Sequence, residues 1–150
     1  MREIMTKSMA RNIFYGGSLF FILIFLGLSV HSHIYIQNTS TDADTLTSSV
    51  IEGKHLWEKH GCVNCHTILG EGAYFAPELG NVMTRWDVTD DPEAAFEGLK
   101  GWMMSMPTGI EDRRQMPFFE LTDEEYRALS DFLLWTDTIR NQDWPPNDAG

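Results

Sequence analysis

The sequence contains only two cysteines, Cys62 and Cys65, and just two residues separate them. A pair so close in the chain cannot cross-link distant parts of a domain, so a disulfide framework is excluded as the basis of the fold. The residues after position 36 also lack the alternation of apolar and polar side chains that is typical of half-buried strands. The cysteine pair therefore indicates a chemical site on a helical chain.

Positive charge is scarce as well, with 11 Lys and Arg against 22 Asp and Glu and a formal net charge of −11. From His31 to Gly150 the imbalance is larger, because 21 acidic residues face 8 basic ones. Nucleic-acid binding relies on many basic contacts to phosphate, so this composition argues against a nucleic acid as partner. It does not argue against a membrane, because the longest apolar run is a separate segment.

One segment lacks charge altogether. Ile13 to Val30 is eighteen residues without Asp, Glu, Lys or Arg, and the next charged residue is Asp42. A helix of this length or slightly more is roughly 27–36 Å long, which matches a hydrocarbon core of about 30 Å. We therefore predict a membrane-anchor helix within residues 1–36. A cleaved signal peptide is the alternative, although the apolar region of such peptides is usually shorter, about 7–15 residues.

The basic residues around this segment are unevenly placed. Arg2, Lys7 and Arg11 precede it, and no Lys or Arg follows until Lys54. Because flanking basic residues favour the cytoplasmic side, we predict a cytoplasmic N-terminus, a single pass through the bacterial inner membrane and a periplasmic domain beyond it. Residues 37–48, rich in Thr, Ser and Asp, are predicted to be a polar tether.

The motif that carries chemistry is Cys62-Val63-Asn64-Cys65-His66, the C-x-x-C-H signature of covalent c-type haem attachment. Thiols one helical turn apart reach the two vinyl groups of one haem, and the next residue, a histidine, lies under the ring. C-x-x-C alone would also fit a zinc site or a thioredoxin-like fold, but zinc needs two more ligands and no second cysteine pair exists. We predict one haem c, bound covalently through Cys62 and Cys65, with His66 as an axial ligand of its iron.

Three helices are predicted in residues 49–150. Ser49–Glu52 has the form of a capping box and would begin a helix that stops at Gly61. Asp91-Pro92 would begin a second helix, and Thr122–Glu125 is another capping box before a third. The apolar faces of the second and third helices are expected at Phe96, Leu99, Met103, Tyr126, Leu129, Leu133 and Thr136. The fold class is therefore all-α: one transmembrane helix, then several short helices around one haem.

The sixth ligand of the iron decides between an electron carrier and an enzyme. Met116 is favoured because it lies in a loop before the last helix and can reach the face of the haem opposite His66. Met106, at the end of the middle helix, is the first alternative, and a histidine or no ligand at all are the others; Met83, Met103 and Met104 are the other nearby methionines. His/Met ligation raises the reduction potential and blocks access of substrates, which is typical of a carrier. An open sixth position would instead indicate a haem-based gas sensor or a peroxidase.

These motifs resemble those of class I cytochromes c. Gly53 and Trp57 repeat the Gly-x-x-x-aromatic pattern of that family's first helix, where the glycine lets the C-terminal helix cross closely. Ala76-Pro77-Glu78-Leu79 resembles the family's G-P-x-L segment, with alanine in place of the glycine. The resemblance implies that the Pro77 carbonyl accepts a hydrogen bond from His66 Nδ1 and so orients the imidazole.

Longer segments resemble the small cytochrome c subunit of bacterial nitric oxide reductase, and they extend over nearly the whole chain. They are Met9–Ile13, Leu69–Val82, Arg113–Pro117 and Asp143–Asn147. The resemblance implies a subunit that accepts electrons from a soluble periplasmic cytochrome c or a small copper protein and has no catalytic residues of its own. It would pass the electrons to haem b of a large catalytic subunit, which converts 2 NO + 2 e− + 2 H+ to N2O + H2O.

The same resemblance implies a calcium ion at the junction of the two subunits, with Gly72 and Tyr74 contributing backbone oxygens. Two related interpretations stay open at this point: the cytochrome subunit of another terminal oxidase, and a free-standing tethered electron shuttle. The Leu69–Val82 and Asp143–Asn147 segments favour the nitric oxide reductase family over both.

Overall fold

The computed structural model describes residues 5–41, 43–112, 115–140 and 144. Two of the segments that carry the family resemblance are only partly covered, because Arg113, Arg114, Asp143 and 145–147 lie outside the described residues. The helices are α1 Lys7–Tyr35, α2 Ser48–Lys59, α3 Val82–Arg85, α4 Pro92–Met104 and α5 Asp123–Asp137. Shorter elements are a π-helical turn at Ile36–Ser40, 3-10 turns at Ala43–Thr45 and Cys62–Asn64, and the antiparallel strands β1 Thr67–Ile68 and β2 Glu71–Gly72.

The contacts within the chain define two units that meet in sequence between Ser40 and Thr41. In the first unit the Thr6 hydroxyl caps α1 by accepting a hydrogen bond from the Met9 N–H. α1 contains no buried residue, and it is long and apolar enough to cross a membrane. The prediction of one apolar N-terminal helix is confirmed. The π-helical turn continues it to Ser40, so the first residues of the predicted tether are helical.

In the second unit, the cap of α2 lies two residues before the predicted cap. The Thr47 hydroxyl accepts from the Val50 N–H at 3.3 Å, which makes Thr47 the cap. Ser49, predicted as the cap, lies inside the helix and its hydroxyl donates to Asp131 of α5 at 2.5 Å. The prediction was wrong because threonine and serine can both cap a helix, and the Ser49 hydroxyl bonds to the distant Asp131 carboxylate instead.

The other two helix starts are confirmed. Asp91 Oδ1 accepts from the N–H groups of Glu93 and Ala94, and Pro92 occupies the first turn of α4. At the start of α5 the Thr122 hydroxyl accepts from Glu125 N at 3.3 Å, and the Glu125 carboxylate accepts from Thr122 N at 2.9 Å. Both arrangements satisfy N–H groups that the first turn of a helix leaves without backbone partners.

The core of the second unit forms where α2 and α4 pack on α5. Gly53 lies at the closest approach of α2 to α5: a Cβ on Gly53 would overlap the carbonyl oxygen of Ala128 and lie 2.6 Å from Phe132 Cβ. The close crossing that the class I cytochrome resemblance implies is thus confirmed. The largest buried apolar side chains are Leu56, Trp57, Met83, Phe96, Leu99, Met103, Tyr126, Leu129, Phe132 and Leu133.

Candidate functional site

The Cys62–His66 motif forms a tight helical turn immediately after α2. Gly61 separates the two by adopting φ +64°, in the left-handed region that glycine enters without strain. The N–H groups of Cys65 and His66 then donate to the Cys62 carbonyl at 3.1 and 2.9 Å. This turn places the two thiols and the imidazole within one short segment, as the attachment motif requires.

Three of the four predicted haem-binding side chains line one apolar cleft in the second unit. Cys62, His66 and Met116 are all part of its wall, and the cleft contains about 550 Å³ of empty space, counted out to its open mouth. Cys65 is half-buried and is not among the lining residues. The rest of the wall is Trp57, Leu79, Val82, Trp86, Leu99, Trp102, Met103, Leu129 and Leu133. Such a wall fits a large apolar group that carries a metal.

His66 is oriented by a backbone carbonyl. Its Nδ1 lies 2.8 Å from the Pro77 oxygen, the pair that the resemblance to class I cytochromes implies. Because a carbonyl oxygen only accepts hydrogen bonds, Nδ1 carries the proton and Nε2 keeps its lone pair. The imidazole is therefore in the tautomer that can bind a metal through Nε2, and the residues of the cleft fit a haem.

The Cys62 thiol is shielded from water in the folded domain. Burial, with a smaller contribution from the neighbouring Cys65, raises the pKa of this thiol to about 11, although a backbone hydrogen bond opposes the shift. Neither cysteine forms a disulfide in the described residues. Both side chains are thus available for thioether bonds, and the Cys62 thiol is protonated at neutral pH as long as it is unmodified.

The loop that presents Met116 is held by its neighbour Gln115. Gln115 Nε2 donates to the Ile110 carbonyl at 2.7 Å, and its Oε1 accepts from the Gly109 N–H at 2.8 Å. These bonds hold Gln115 against Gly109 and Ile110, and the next residue, Met116, lies in the wall of the cleft. Gln115 cannot be recognised as important from the sequence, because a polar residue in a loop gives no signal of its hydrogen-bond partners.

The other candidate methionines occupy different environments. Met103 also lines the cleft, as a buried residue of α4. Met83 is fully buried in the core, Met106 is buried but not among the lining residues, and Met104 is exposed. Met116 and Met103 are therefore the two thioethers at the cleft, and Met116 is the one that lies outside a helix. Its role as sixth ligand stays a prediction.

Gly72 and Tyr74, the residues expected near calcium, lie on the edge of the hairpin formed by β1 and β2. Gly72 pairs with Thr67, the residue after His66, and Tyr74 is 73% exposed. Among the residues that the structure describes, no group of three or more His, Cys, Asp or Glu side chains could hold a metal ion. That finding does not bear on a site built from backbone oxygens, and calcium remains an expectation.

Sequence comparison with known proteins identifies the family of the chain. Residues 50–137 match the cytochrome c family. Over the full length of both sequences, the chain is 73% identical to the C subunit of nitric oxide reductase from Paracoccus denitrificans. The corresponding proteins of Cereibacter sphaeroides and Halomonas halodenitrificans are 65% and 59% identical over the same length. The chain belongs to the family of nitric oxide reductase C subunits.

Membership of the nitric oxide reductase family explains both units of the chain. The alignments include α1, so the apolar helix is part of what the relatives share, and the protein is membrane-anchored. The second unit is a cytochrome c domain, which implies covalent haem c, and the cysteines that such attachment needs, Cys62 and Cys65, are present. The chain is accordingly an electron-transfer subunit and not a catalyst on its own.

Proposed function

We propose that the protein accepts single electrons from a soluble periplasmic cytochrome c or a small copper protein. It passes them to haem b of a larger catalytic subunit, where 2 NO + 2 e− + 2 H+ give N2O + H2O. The main support is the full-length similarity to the C subunits of nitric oxide reductases, at up to 73% identity. A cleft with Cys62, His66 and Met116 in its wall is the structural counterpart expected of an electron carrier.

The residues of the cleft would each contribute to electron transfer. Bound haem supplies a one-electron couple between ferrous and ferric iron. Cys62 and Cys65 fix the macrocycle to the chain, and His66 presents Nε2 because Pro77 holds the opposite nitrogen. Met116, which lines the same cleft, would hold the iron together with His66 and so keep substrates from the metal. The apolar wall excludes water, which limits the rearrangement of solvent that a change of charge would otherwise cause.

The position of the domain relative to the membrane is also proposed. Arg2, Lys7 and Arg11 precede the apolar helix, and this bias favours a cytoplasmic N-terminus. The cytochrome c domain then lies in the periplasm, where soluble electron donors have access to it. We further propose that the exposed loop around Gly72 and Tyr74 faces the catalytic subunit and contributes to a calcium site there.

The proposed function is tested by isolating the protein with its partners. A tagged chain is purified from its native membrane in mild detergent, and its haems are determined by pyridine haemochrome spectra. Copurification of a larger, b-haem subunit, together with NO consumption when a reduced donor is added, is the expected result. Recovery of c-type haem alone, without NO consumption, would instead favour a free-standing tethered shuttle.

Met116→Ala tests the sixth ligand directly. Loss of the thioether is expected to convert a low-spin haem into a high-spin one that binds CO rapidly, and to remove the weak thioether-to-iron absorption band. Met104→Ala is the matched control, since Met104 is 57% exposed and does not line the cleft. An unchanged low-spin spectrum in Met116→Ala would reject Met116 and direct attention to Met103 and Met106.

A further inference from the structure

Glu78 is a buried carboxylate to which the haem motif assigns no role. It is 3% exposed, and it is the one charged residue among the buried residues that the structure describes. Its oxygens accept hydrogen bonds from the N–H groups of Leu69 at 2.7 Å, Gly80 at 2.9 Å and Gly70 at 3.2 Å. The indole N–H of Trp144 donates to it at 3.3 Å. A carboxylate held by so many donors is a fixed part of the fold.

These contacts also keep the carboxylate ionised. Burial by itself raises the pKa of Glu78, but its hydrogen bonds with the backbone N–H groups of Gly80 and Gly70 and with the Trp144 indole help to lower it on balance below its usual value. Among the described residues no Lys or Arg forms an ion pair with this carboxylate. The Arg85 guanidinium donates to the backbone carbonyl of Glu78 instead, at 2.6 Å.

The donors come from a turn that follows the haem motif directly. Leu69 and Gly70 have φ +53° and +82°, which is the conformation of the two central residues in a tight type I′ hairpin turn. They join β1 to β2, and β1 begins at Thr67, the residue after His66. The Glu78 carboxylate thus holds the turn through side-chain bonds, while Leu79 N–H donates to the Thr67 carbonyl at 2.8 Å.

Two sets of hydrogen bonds, from Glu78 and from Leu79, therefore join the segment after Pro77 to the segment after His66. On one side, Glu78 and Leu79 follow Pro77 in the chain; on the other, the turn and Thr67 follow His66. The bonds between these segments hold the Pro77 carbonyl at 2.8 Å from His66 Nδ1. The N–H groups of Phe75 and Ala76 also donate to the Cys65 carbonyl, at 3.1 and 2.8 Å, and hold the chain before Pro77. The bonds of Glu78 and Leu79 hold the chain after Pro77, and without them that side of the Pro77 carbonyl would lose its support.

We propose that Glu78 is a positioning residue, whose buried carboxylate holds the Pro77 carbonyl against His66 and thereby lowers the reduction potential of the haem. The inference rests on the proposed haem site with His66 as ligand. A hydrogen bond from Nδ1 makes the imidazole a more basic ligand, which stabilises ferric iron. A fixed negative charge in the same segment acts in the same direction, because reduction removes a positive charge from the centre.

The first measurement compares the reduction potentials of Glu78→Gln and Glu71→Gln in the haem-loaded, full-length protein. Both variants remove one carboxylate from the same hairpin region, but Glu71 is exposed at the start of β2. Glu78→Gln is expected to raise the ratio of reduced to oxidised haem at a fixed potential at least tenfold, equivalent to about 59 mV for one electron. Glu71→Gln is expected to change that ratio less than twofold.

The second measurement separates positioning from charge. The exchange rate of the His66 Nδ1 proton is followed by NMR in the reduced protein, and Glu78→Gln is expected to accelerate it at least tenfold. A shifted potential with an unchanged exchange rate would mean that the charge acts alone, and the positioning role would be rejected. An unchanged potential together with an unchanged exchange rate would reject it as well.

Trp144→Phe covers the case in which Glu78→Gln does not take up haem. This variant removes one donor from the carboxylate and leaves its charge in place, so a smaller acceleration of exchange is expected. Wild-type exchange in Trp144→Phe would then overturn the inference. If the wild-type protein itself had no haem bound by His66, the proposed haem site would be wrong. That result differs from failure of the positioning role, in which the wild-type protein has the haem and the variants behave like it.

Discussion

α1 and the cytochrome c domain place the same kinds of side chain in opposite environments. Phe14, Phe21 and Phe25 of α1 are each about two-thirds exposed, and no residue of that helix is buried. In the domain, Phe96 and Phe132 are 5% and 6% exposed. The domain removes apolar surface from water by packing helices on one another, whereas α1 does so only where a bilayer surrounds it.

Glycine shows the same contrast on a smaller scale. Gly16, Gly17 and Gly27 of α1 have no atom within 4 Å of the place where a Cβ would stand. At Gly53 in α2 the same atom would overlap the backbone of α5. The comparison shows that each region tolerates a different kind of change: α1 should be sensitive to polarity and the domain to shape.

The largest expected effect comes from removing the two cysteines that would attach haem to the domain, a change that leaves α1 untouched. In the double variant Cys62→Ser, Cys65→Ser, covalent haem should be lost entirely, because no thioether can form. The apolar cleft then has no permanent occupant, and the domain should melt at a much lower temperature, while α1 still brings the chain to the membrane. Haem staining after denaturing electrophoresis and thermal unfolding by circular dichroism measure the two effects.

Asn64→Ala is the control for that variant, since Asn64 lies between the two cysteines and is exposed. It should retain its haem stain. Persistent staining of the double serine variant would show that the haem is attached elsewhere, and a wild-type melting temperature would show that the domain core is complete without it.

The next effect tests the sensitivity of α1 to polarity. Leu23→Lys puts a charge near the middle of the apolar segment, which should cost about 2.5–3.5 kcal/mol in membrane insertion. The same change at Leu46, which is 44% exposed in the second unit, should cost less than about 0.5 kcal/mol of stability. The fraction of each variant that stays with carbonate-washed membranes gives the comparison. Equal losses from the membrane would contradict the assignment of α1 as the anchor.

The smallest effect tests the sensitivity of the domain to shape. Gly53→Ala should lower the free energy of unfolding by about 1–3 kcal/mol, because the added methyl forces α2 and α5 apart. Gly27→Ala should leave the unfolding of the domain unchanged. Denaturant titration monitored in the haem absorption band measures both, and similar midpoints would argue against a tight α2–α5 crossing in solution.

Much of this organisation could be predicted from the sequence because the signals are local. The apolar run of α1, the caps at Asp91 and Thr122 and the Cys62–His66 motif each consist of residues close together in the chain. The resemblance to class I cytochromes c further predicts the close helix crossing at Gly53 and the contact of His66 with the Pro77 carbonyl. Local signals are thus sufficient for helices and for an attachment motif.

What could not be predicted depends on partners that are distant in sequence. Ser49 failed as a cap because its hydroxyl bonds to Asp131, 82 residues away. Glu78 gave no signal because its partners are mainly backbone N–H groups, which every residue type except proline offers. The contributions of Trp86 and Trp102 to the cleft wall likewise exist only after α3 and α4 have packed.

The crossing of α2 and α5 has a consequence for the order of events during synthesis. Among the described residues, these are the first and last α-helices of the cytochrome c domain, so the contact at Gly53 cannot form before α5 has been made. Contacts between distant parts of a chain also form slowly, because a long loop must be closed first. The attachment motif follows α2 directly, so it is synthesised well before the helix that packs against α2. Until α5 is present, the cleft that would hold the haem is incomplete, because Leu129 and Leu133 of α5 belong to its wall.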